Sequence, residues 1–143
     1  MPTRTASASW KGGLRGGNGS FKGQTGGLGG TYNFGSRFEN AAGSNPEELL
    51  AAAEAACYSM ALSAGLERNG TVATSVDTTA KCTIEKVGEG FKITKMDLTV
   101  TATVPGIDDA KFQQVAAATK EGCPVSGALK GNVQIDLKAT LSA

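Results

Sequence analysis

The sequence predicts an α+β fold, and three observations carry that reading. Residues 1–40 are short strand-like segments punctuated by glycine; one long apolar helix with clear caps follows; the rest reads as two strands, a second helix and a closing strand. Strands and helices that are grouped, without strict alternation, mark the α+β class. The chain of 143 residues is long enough for one domain with a real core.

Each element has its own local reason. Glycine recurs from Gly12 to Gly35, and "TASASW", "GSFKGQ" and "TYNFGSRF" lie among these glycines as candidate strands of an antiparallel meander. In "SNPEELLAAAEAACYSMALSAGLERNG", Asn45 is the N-cap, Pro46 takes the first helical position, and Glu47 and Glu48 suit the first turn. Gly70 after Asn69 is the stop. The helix should be about 35 Å long at 1.5 Å per residue. Its middle, Leu49 to Ala64, is almost entirely apolar and mostly alanine, so it should be buried on most sides.

Beyond it, Val76, Ala80, Cys82 and Ile84 share one face of a strand that "VGEGF" ends in a turn. The next strand has Phe91 and Ile93 in one phase, then Met96, Leu98, Val100, Ala102 and Val104 in the other. The change of phase near Thr94–Lys95 predicts a bulge. A second helix in "PGIDDAKFQQVAAATKEG" has Asp108 as N-cap, Gly122 as stop, and Phe112, Val115, Ala116 and Thr119 as its inner stripe. Val133, Ile135, Leu137, Ala139 and Leu141 face inward on the last strand. The organisation is a glycine-rich meander over 1–40, a central helix over 44–69, and a sheet with the second helix over 71–143, all in one domain.

Composition narrows function. The net charge is +1 with scattered basic residues, which argues against a nucleic-acid surface. "GGLRGG" resembles a single element of an RNA-binding tail, but turn glycine explains it better. No P-loop is present, and no glycine fingerprint follows a strand and opens a helix. No apolar run approaches a membrane span, and the N-terminus lacks the apolar stretch of a signal peptide. The expectation is a cytoplasmic protein that uses neither membrane nor nucleic acid.

Chemistry must come from a limited set. The chain has no histidine, so catalysis by Ser-His-Asp or Cys-His and the common His-containing metal sites are excluded. Its three cysteines, Cys57, Cys82 and Cys123, form no C-x-x-C pair, and no disulfide framework or metal centre is expected. Cys123 precedes Pro124, which favours the first turn of a short helix. Cys123 is then its N-cap, where unpaired N–H groups and the helix dipole favour an anion. A small buried residue closing a turn is an equal reading. Cys57 lies mid-helix in apolar surroundings, the place of a core cysteine, and Cys82 faces inward on a strand. By local rules Cys123 is the better nucleophile.

A longer pattern reverses that order. "TYNFGSRFENAAGSNPEELLAAAEAACYSMALS", "ITKMDLTVTATVPGID" and "GCPVSGALKG" together resemble the osmotically inducible protein C (OsmC) family, in the superfamily of the organic hydroperoxide resistance proteins. The resemblance runs from about Trp10 to Leu141. It implies an OsmC-like fold with antiparallel sheets, a long central buried helix and an intertwined homodimer. It also implies a cysteine-based peroxidase of oxidative or osmotic stress defence, reducing organic hydroperoxides without a cofactor and drawing on an external dithiol of dihydrolipoyl type. By the same resemblance Cys57 is the peroxidatic thiol, Cys123 the resolving thiol, Arg37 the guanidinium beside the thiolate and Glu47 its anchor. Arg15 is a weaker candidate for the arginine, and Cys82 has no role.

The residue types suit such chemistry. A thiolate attacks the O–O bond, and a second thiol converts the sulfenic acid to a disulfide. Arginine stays charged, so no histidine is needed. Glu47 and Cys57 lie ten residues apart on one helix, about 15 Å along a straight axis. Either the helix kinks, or Arg37 and Glu47 serve the Cys57 of a second subunit. An intimate homodimer with composite sites follows from the second option. The competing readings are a non-catalytic redox sensor or a hydrophobic-ligand-binding dimer, and RNA binding through the glycine-rich arm.

Overall fold

The computed structural model describes residues 1–142. The chain forms two compact units, Met1–Leu49 and Leu50 onward.

The first unit is built on a three-stranded antiparallel sheet, β1 (Ala6–Lys11), β2 (Asn18–Gly23) and β3 (Gly29–Tyr32), in that order. Trp10, Phe21 and Tyr32 make tilted ring pairs with centroids 5.4 and 6.0 Å apart. They leave room for glycine alone at Gly19, where a Cβ would stand 2.7 Å from the Tyr32 ring. The third candidate strand is corrected here. β3 stops at Tyr32, and "FGSRF" becomes a short helix, α1 (Phe34–Phe38). Asn33 caps it: its side chain accepts from Ser36 N (2.8 Å), while Ser36 Oγ accepts from Asn33 N (2.9 Å). Local polar bonding outweighs the aromatic alternation that suggested a strand. Ser36 Oγ also donates to Ser44 O (2.8 Å), and Asn45 donates to Ser36 O (2.9 Å), which fold the loop back on the helix.

Helix α2 spans Pro46–Arg68 as expected. Asn45 Oδ1 accepts from Glu48 N (2.8 Å), and Gly70 takes the left-handed conformation (φ 84°) past its end. Its first turn belongs to the first unit, the remainder to the second.

The second unit is a sheet ordered β4 (Ser75–Val87), β5 (Gly90–Thr103), β6 (Gln134–Ser142), with α2, α3 (Asp109–Gly122) and α4 (Pro124–Leu129). β4 and β5 pair antiparallel, and the register breaks where Thr83 faces Lys95 and Ile84 faces Ile93. Thr94 is the extra residue, so the predicted bulge is present. Met96, Leu98, Val100 and Ala102 of β5 are buried and pack with Tyr58, Leu62 and Leu66 of α2 and Phe112 and Ala116 of α3. Each large apolar side chain buried here contributes roughly 1.5–3 kcal/mol. Gly65 lets α3 come close: a Cβ there would lie 3.2 Å from Val115 Cγ1. Asp108 caps α3 by accepting from Lys111 N (2.8 Å).

Three sequence expectations change. β6 runs parallel to β5, because the chain crosses over through α3 and α4 before returning, so this sheet is mixed where an all-antiparallel one was expected. Within the chain α2 buries one stripe, Glu54, Tyr58, Leu62 and Leu66, and leaves Ala52, Ala53, Ala56 and Met60 exposed. By length and composition α2 is also apolar enough to cross a membrane, contrary to the sequence reading. Its central Glu54 is fully buried in the second unit, and its apolar stripe belongs to that unit's core.

Candidate active site

The polar groups with chemical potential form one cluster in each unit. In the second unit, Cys57 lies at the middle of α2, half-buried between the core stripe and the exposed alanine face. Cys123 is the single residue between two helices. Its N–H bonds to Thr119 O at the end of α3 (2.8 Å), and its carbonyl accepts from Gly127 N at the start of α4 (2.8 Å). Pro124 sets this corner, because a residue before proline prefers extended backbone, and Cys123 adopts φ −63°, ψ 126°.

The N-cap position of Cys123 is as expected, but its thiol does not cap α4. Instead the two thiols are hydrogen-bonded, with Sγ–Sγ 2.9 Å. That is less than about 1 Å longer than a disulfide bond. Cys123 is 1% exposed, so its sulfur faces Cys57 with almost no access to solvent.

The environment of Cys57 disfavours its anion. Burial pushes its thiol up from the ordinary range, the bond to the Cys123 thiol adds to this, and the nearby Glu54 carboxylate adds further. One group pulls the other way: the Val125 backbone N–H, in the first turn of α4, bonds to the Cys57 sulfur. One of the helix-start donors expected to serve Cys123 thus serves Cys57. Burial likewise holds the Tyr58 phenol far above its usual range, with its hydroxyl donating to Ala116 O (2.8 Å).

Glu54 was passed over in the sequence as part of an apolar run. It is fully buried, its Oε1 accepts a hydrogen bond from Ser126 Oγ, and its Oε2 is buried without a partner. The signal was available in the spacing: 54, 58, 62 and 66 form the inner stripe at intervals of four, and Glu54 precedes Cys57 by three.

In the first unit, Arg37 on α1 reaches Glu47 in the first turn of α2. Nε and Nη2 both donate to Glu47 Oε1, at 3.2 and 3.0 Å. The Arg37 side chain is 36% exposed and that of Glu47 6%, so the pair is anchored at the acid and open at the guanidinium. The second oxygen, Oε2, is buried without a hydrogen-bond partner. Arg37 also lines a pocket of about 270 Å³ with Trp10, Leu14, Tyr32, Phe34 and Phe38. Arg15 lies over the Phe34 ring at 4.4 Å, a cation–π contact on the same short helix. Cys82 sits half-buried on β4 opposite Met96 of β5 and packs against the core. Among the described residues no cluster has the acids, thiols or imidazoles to hold a metal ion.

Comparison with known proteins places the chain in a family. The OsmC-like protein family matches residues 39–138. The chain is 45% identical over 130 residues to Peroxiredoxin OsmC of Escherichia coli (strain K12), covering 90% of this chain and 91% of that protein. It is 33% identical over 101 residues to the organic hydroperoxide resistance protein OhrB of Bacillus subtilis (strain 168), covering 70% and 72%. Among solved structures, an organic hydroperoxide resistance protein from Elizabethkingia anophelis, with thiocyanate bound, superposes with TM-score 0.75 at 26% identity over 99% of this chain and 98% of that one. With a family model matching residues 39–138 and a relative 45% identical over most of both chains, the chain belongs to the OsmC-like protein family.

Proposed function

We propose that this protein is a thiol peroxidase that reduces organic hydroperoxides to alcohols, with Cys57 as the peroxidatic and Cys123 as the resolving thiol. The observation that carries the reading is the 2.9 Å approach of the two sulfurs across α2 and the α3–α4 corner. The Cys57 thiolate attacks the hydroperoxide O–O bond. Its sulfur takes the hydroxyl, and the alkoxide leaves as alcohol with the thiol proton. Cys123 then displaces hydroxide from the sulfenic acid, and water leaves as the disulfide forms. An external dithiol, of dihydrolipoyl type by the family resemblance, reduces the disulfide and becomes a disulfide itself. Relatives bearing the names peroxiredoxin and organic hydroperoxide resistance protein support this chemistry in oxidative stress defence. Thiols supply both electrons, so the reaction asks for no cofactor. The cytoplasm, where thiols stay reduced, suits it.

The active site is completed by a second chain in an intertwined homodimer. The surroundings of Cys57 in its own unit hold it as a thiol, so a guanidinium must offset that cost. Arg37, anchored by Glu47, is that group, but Glu47 is ten residues from Cys57 on an unbroken helix, about 15 Å. The partner's copy avoids this span. The exposed Ala52, Ala53, Ala56 and Met60 face of α2, with Met60 79% exposed, is the surface a partner would cover. The same apolar surroundings favour an alkyl hydroperoxide over hydrogen peroxide.

The test is direct. Reduced protein is mixed with cumene hydroperoxide and its disulfides are mapped by peptide mass analysis. A Cys57–Cys123 bond, lost in Cys57→Ser and replaced by over-oxidised Cys57 in Cys123→Ser, supports the assigned roles. Cys57 remaining reduced while hydroperoxide persists would overturn them and favour a binding protein.

A further inference from the structure

Two contacts join α2 to α4 and its N-cap side by side. Cys57 meets Cys123, and Glu54 meets Ser126. Cys57 and Glu54 are three residues apart on α2, a spacing that puts them on one helical face about 5–6 Å apart at Cβ; Cys123 is the N-cap of α4 and Ser126 the third residue of that helix. Glu54, Cys123 and Ser126 are each 0–1% exposed, so this corner is closed to water. Inside it lies a carboxylate with one oxygen tied to Ser126 and the other buried without a partner. Among the described residues no cation pairs with Glu54. A carboxylate buried this way is costly and contributes nothing to packing that a neutral residue would not. Its presence beside the thiols calls for a chemical reason.

That reason is the proton of Cys123. During resolution Cys123 must lose its thiol proton, and its sulfur has almost no access to solvent. The chain offers no histidine to take that proton. We propose that Glu54 is the internal proton acceptor of the resolving step, held in place by Ser126. The step balances: the sulfur lone pair of Cys123 attacks the Cys57 sulfur and the S–S bond forms. The S–O bond breaks, the thiol proton passes to Glu54 Oε2 and then to the departing hydroxide. Water leaves and Glu54 returns to carboxylate. The titratable groups that feel the Glu54 charge are Cys57 and Tyr58 on α2, both of which it holds toward their neutral forms, and Cys123 acts on both from the N-cap of α4.

This inference rests on the assignment of Cys57 and Cys123 above, and a single-turnover experiment separates the two. Reduced full-length protein is mixed with one equivalent of cumene hydroperoxide and quenched at intervals. Intact-mass analysis then counts Cys57 sulfenic acid and the Cys57–Cys123 disulfide. In Glu54→Gln, which keeps the acceptor for Ser126 but cannot take a proton, Cys57 should oxidise no more slowly than in the wild type, since the lost charge opposed its thiolate. Disulfide closure should slow by about 10²-fold at neutral pH, the usual scale of general-base catalysis. That slow closure should rise about tenfold per pH unit, as hydroxide takes over the proton. Wild-type closure should stay flat over the same range, and Ser126→Ala, which keeps the carboxylate, should stay flat and slow only a few-fold. Closure at the wild-type rate in Glu54→Gln overturns the proposal. So does an equal, pH-flat slowing in Glu54→Gln and Ser126→Ala, which would make the pair a tether alone. Should Glu54→Gln not fold, the wild-type profile decides: a tenfold rise per pH unit there rules out an internal acceptor. Cys57 that never oxidises in the wild-type protein rejects the thiol assignment and this inference together.

Discussion

A mixed dimer of Cys57→Ser and Arg37→Ala chains tests whether the site is shared between subunits. In a symmetric dimer with shared sites, Cys57 of one chain works with Arg37 of the other. The heterodimer then restores one complete site, formed by Cys57 of the Arg37→Ala chain and Arg37 of the Cys57→Ser chain; its second site lacks both. Random pairing makes about half the dimers heterodimers, so the mixture should recover about a quarter of wild-type turnover. The background must be lower. Cys57→Ser homodimers have no peroxidatic sulfur. Arg37→Ala homodimers lose a charge-assisted contact to the thiolate, about 1.5–3 kcal/mol, or roughly tenfold to a hundredfold in rate. The distance motivates the expectation: about 15 Å of helical rise separates Glu47, which fixes Arg37, from Cys57 of its own chain. The assay is hydroperoxide consumption with a dithiol reductant, using chains co-expressed with different affinity tags and purified as heterodimers, which with one complete site of two should reach about half of wild-type turnover. Heterodimers no more active than the mean of the two parent homodimers would refute the trans arrangement.

Three further outcomes follow from the same geometry. Tyr58→Phe removes the buried hydroxyl that donates to Ala116 O (2.8 Å), so thermal unfolding should fall by about 3 °C for a loss of about 1 kcal/mol, with peroxide reactivity intact. Gly65→Val should cost roughly 1–3 kcal/mol in chemical denaturation, because its first added carbon already sits 3.2 Å from Val115 Cγ1. The pH dependence of Cys57 alkylation should separate the wild type from Arg37→Ala. Burial, Cys123 and Glu54 raise the Cys57 thiol, so without the guanidinium its thiolate, and the alkylation rate, should still be climbing above the usual thiol value of about 8.5. With the guanidinium in place the rate should level off at lower pH; identical profiles would count against Arg37 as the activating cation.

Much of the architecture was legible because it is locally encoded. Asn45, Pro46 and Gly70 bracket α2, Asp108 starts α3, and the change of phase at Thr94 marks a bulge, each within a few residues of the feature it fixes. The misreadings have equally local or non-local causes. "NFGSRF" alternates like a strand, but the reciprocal Asn33–Ser36 capping bonds make it helical. The parallel course of β6 depends on a crossover that its own residues cannot announce. Alanine misled the reading of α2, since it fits a buried stripe and an exposed face alike. At the site, the motif cysteines were visible. Local rules favoured Cys123, because the sequence could not show that the Val125 amide reaches Cys57. Glu54 was hidden by its apolar neighbours.

The balance at Cys57 links assembly to reactivity. Within its own unit, burial, the neighbouring thiol and Glu54 all act against the thiolate, and the Val125 amide alone acts for it. A free chain should therefore hold Cys57 as a quiet thiol. The guanidinium that would change this lies in the other unit, fixed to Glu47 by two hydrogen bonds. If that cation arrives from a partner, pairing of the α2 faces and activation of the thiol are one event, and no chain becomes reactive before it has a partner. Dilution tests this. Alkylation of Cys57 at neutral pH should slow as the protein is diluted through its dimer dissociation range, in step with the loss of dimer by sedimentation. Reactivity that stays constant while the dimer dissociates would place the activating group within the single chain.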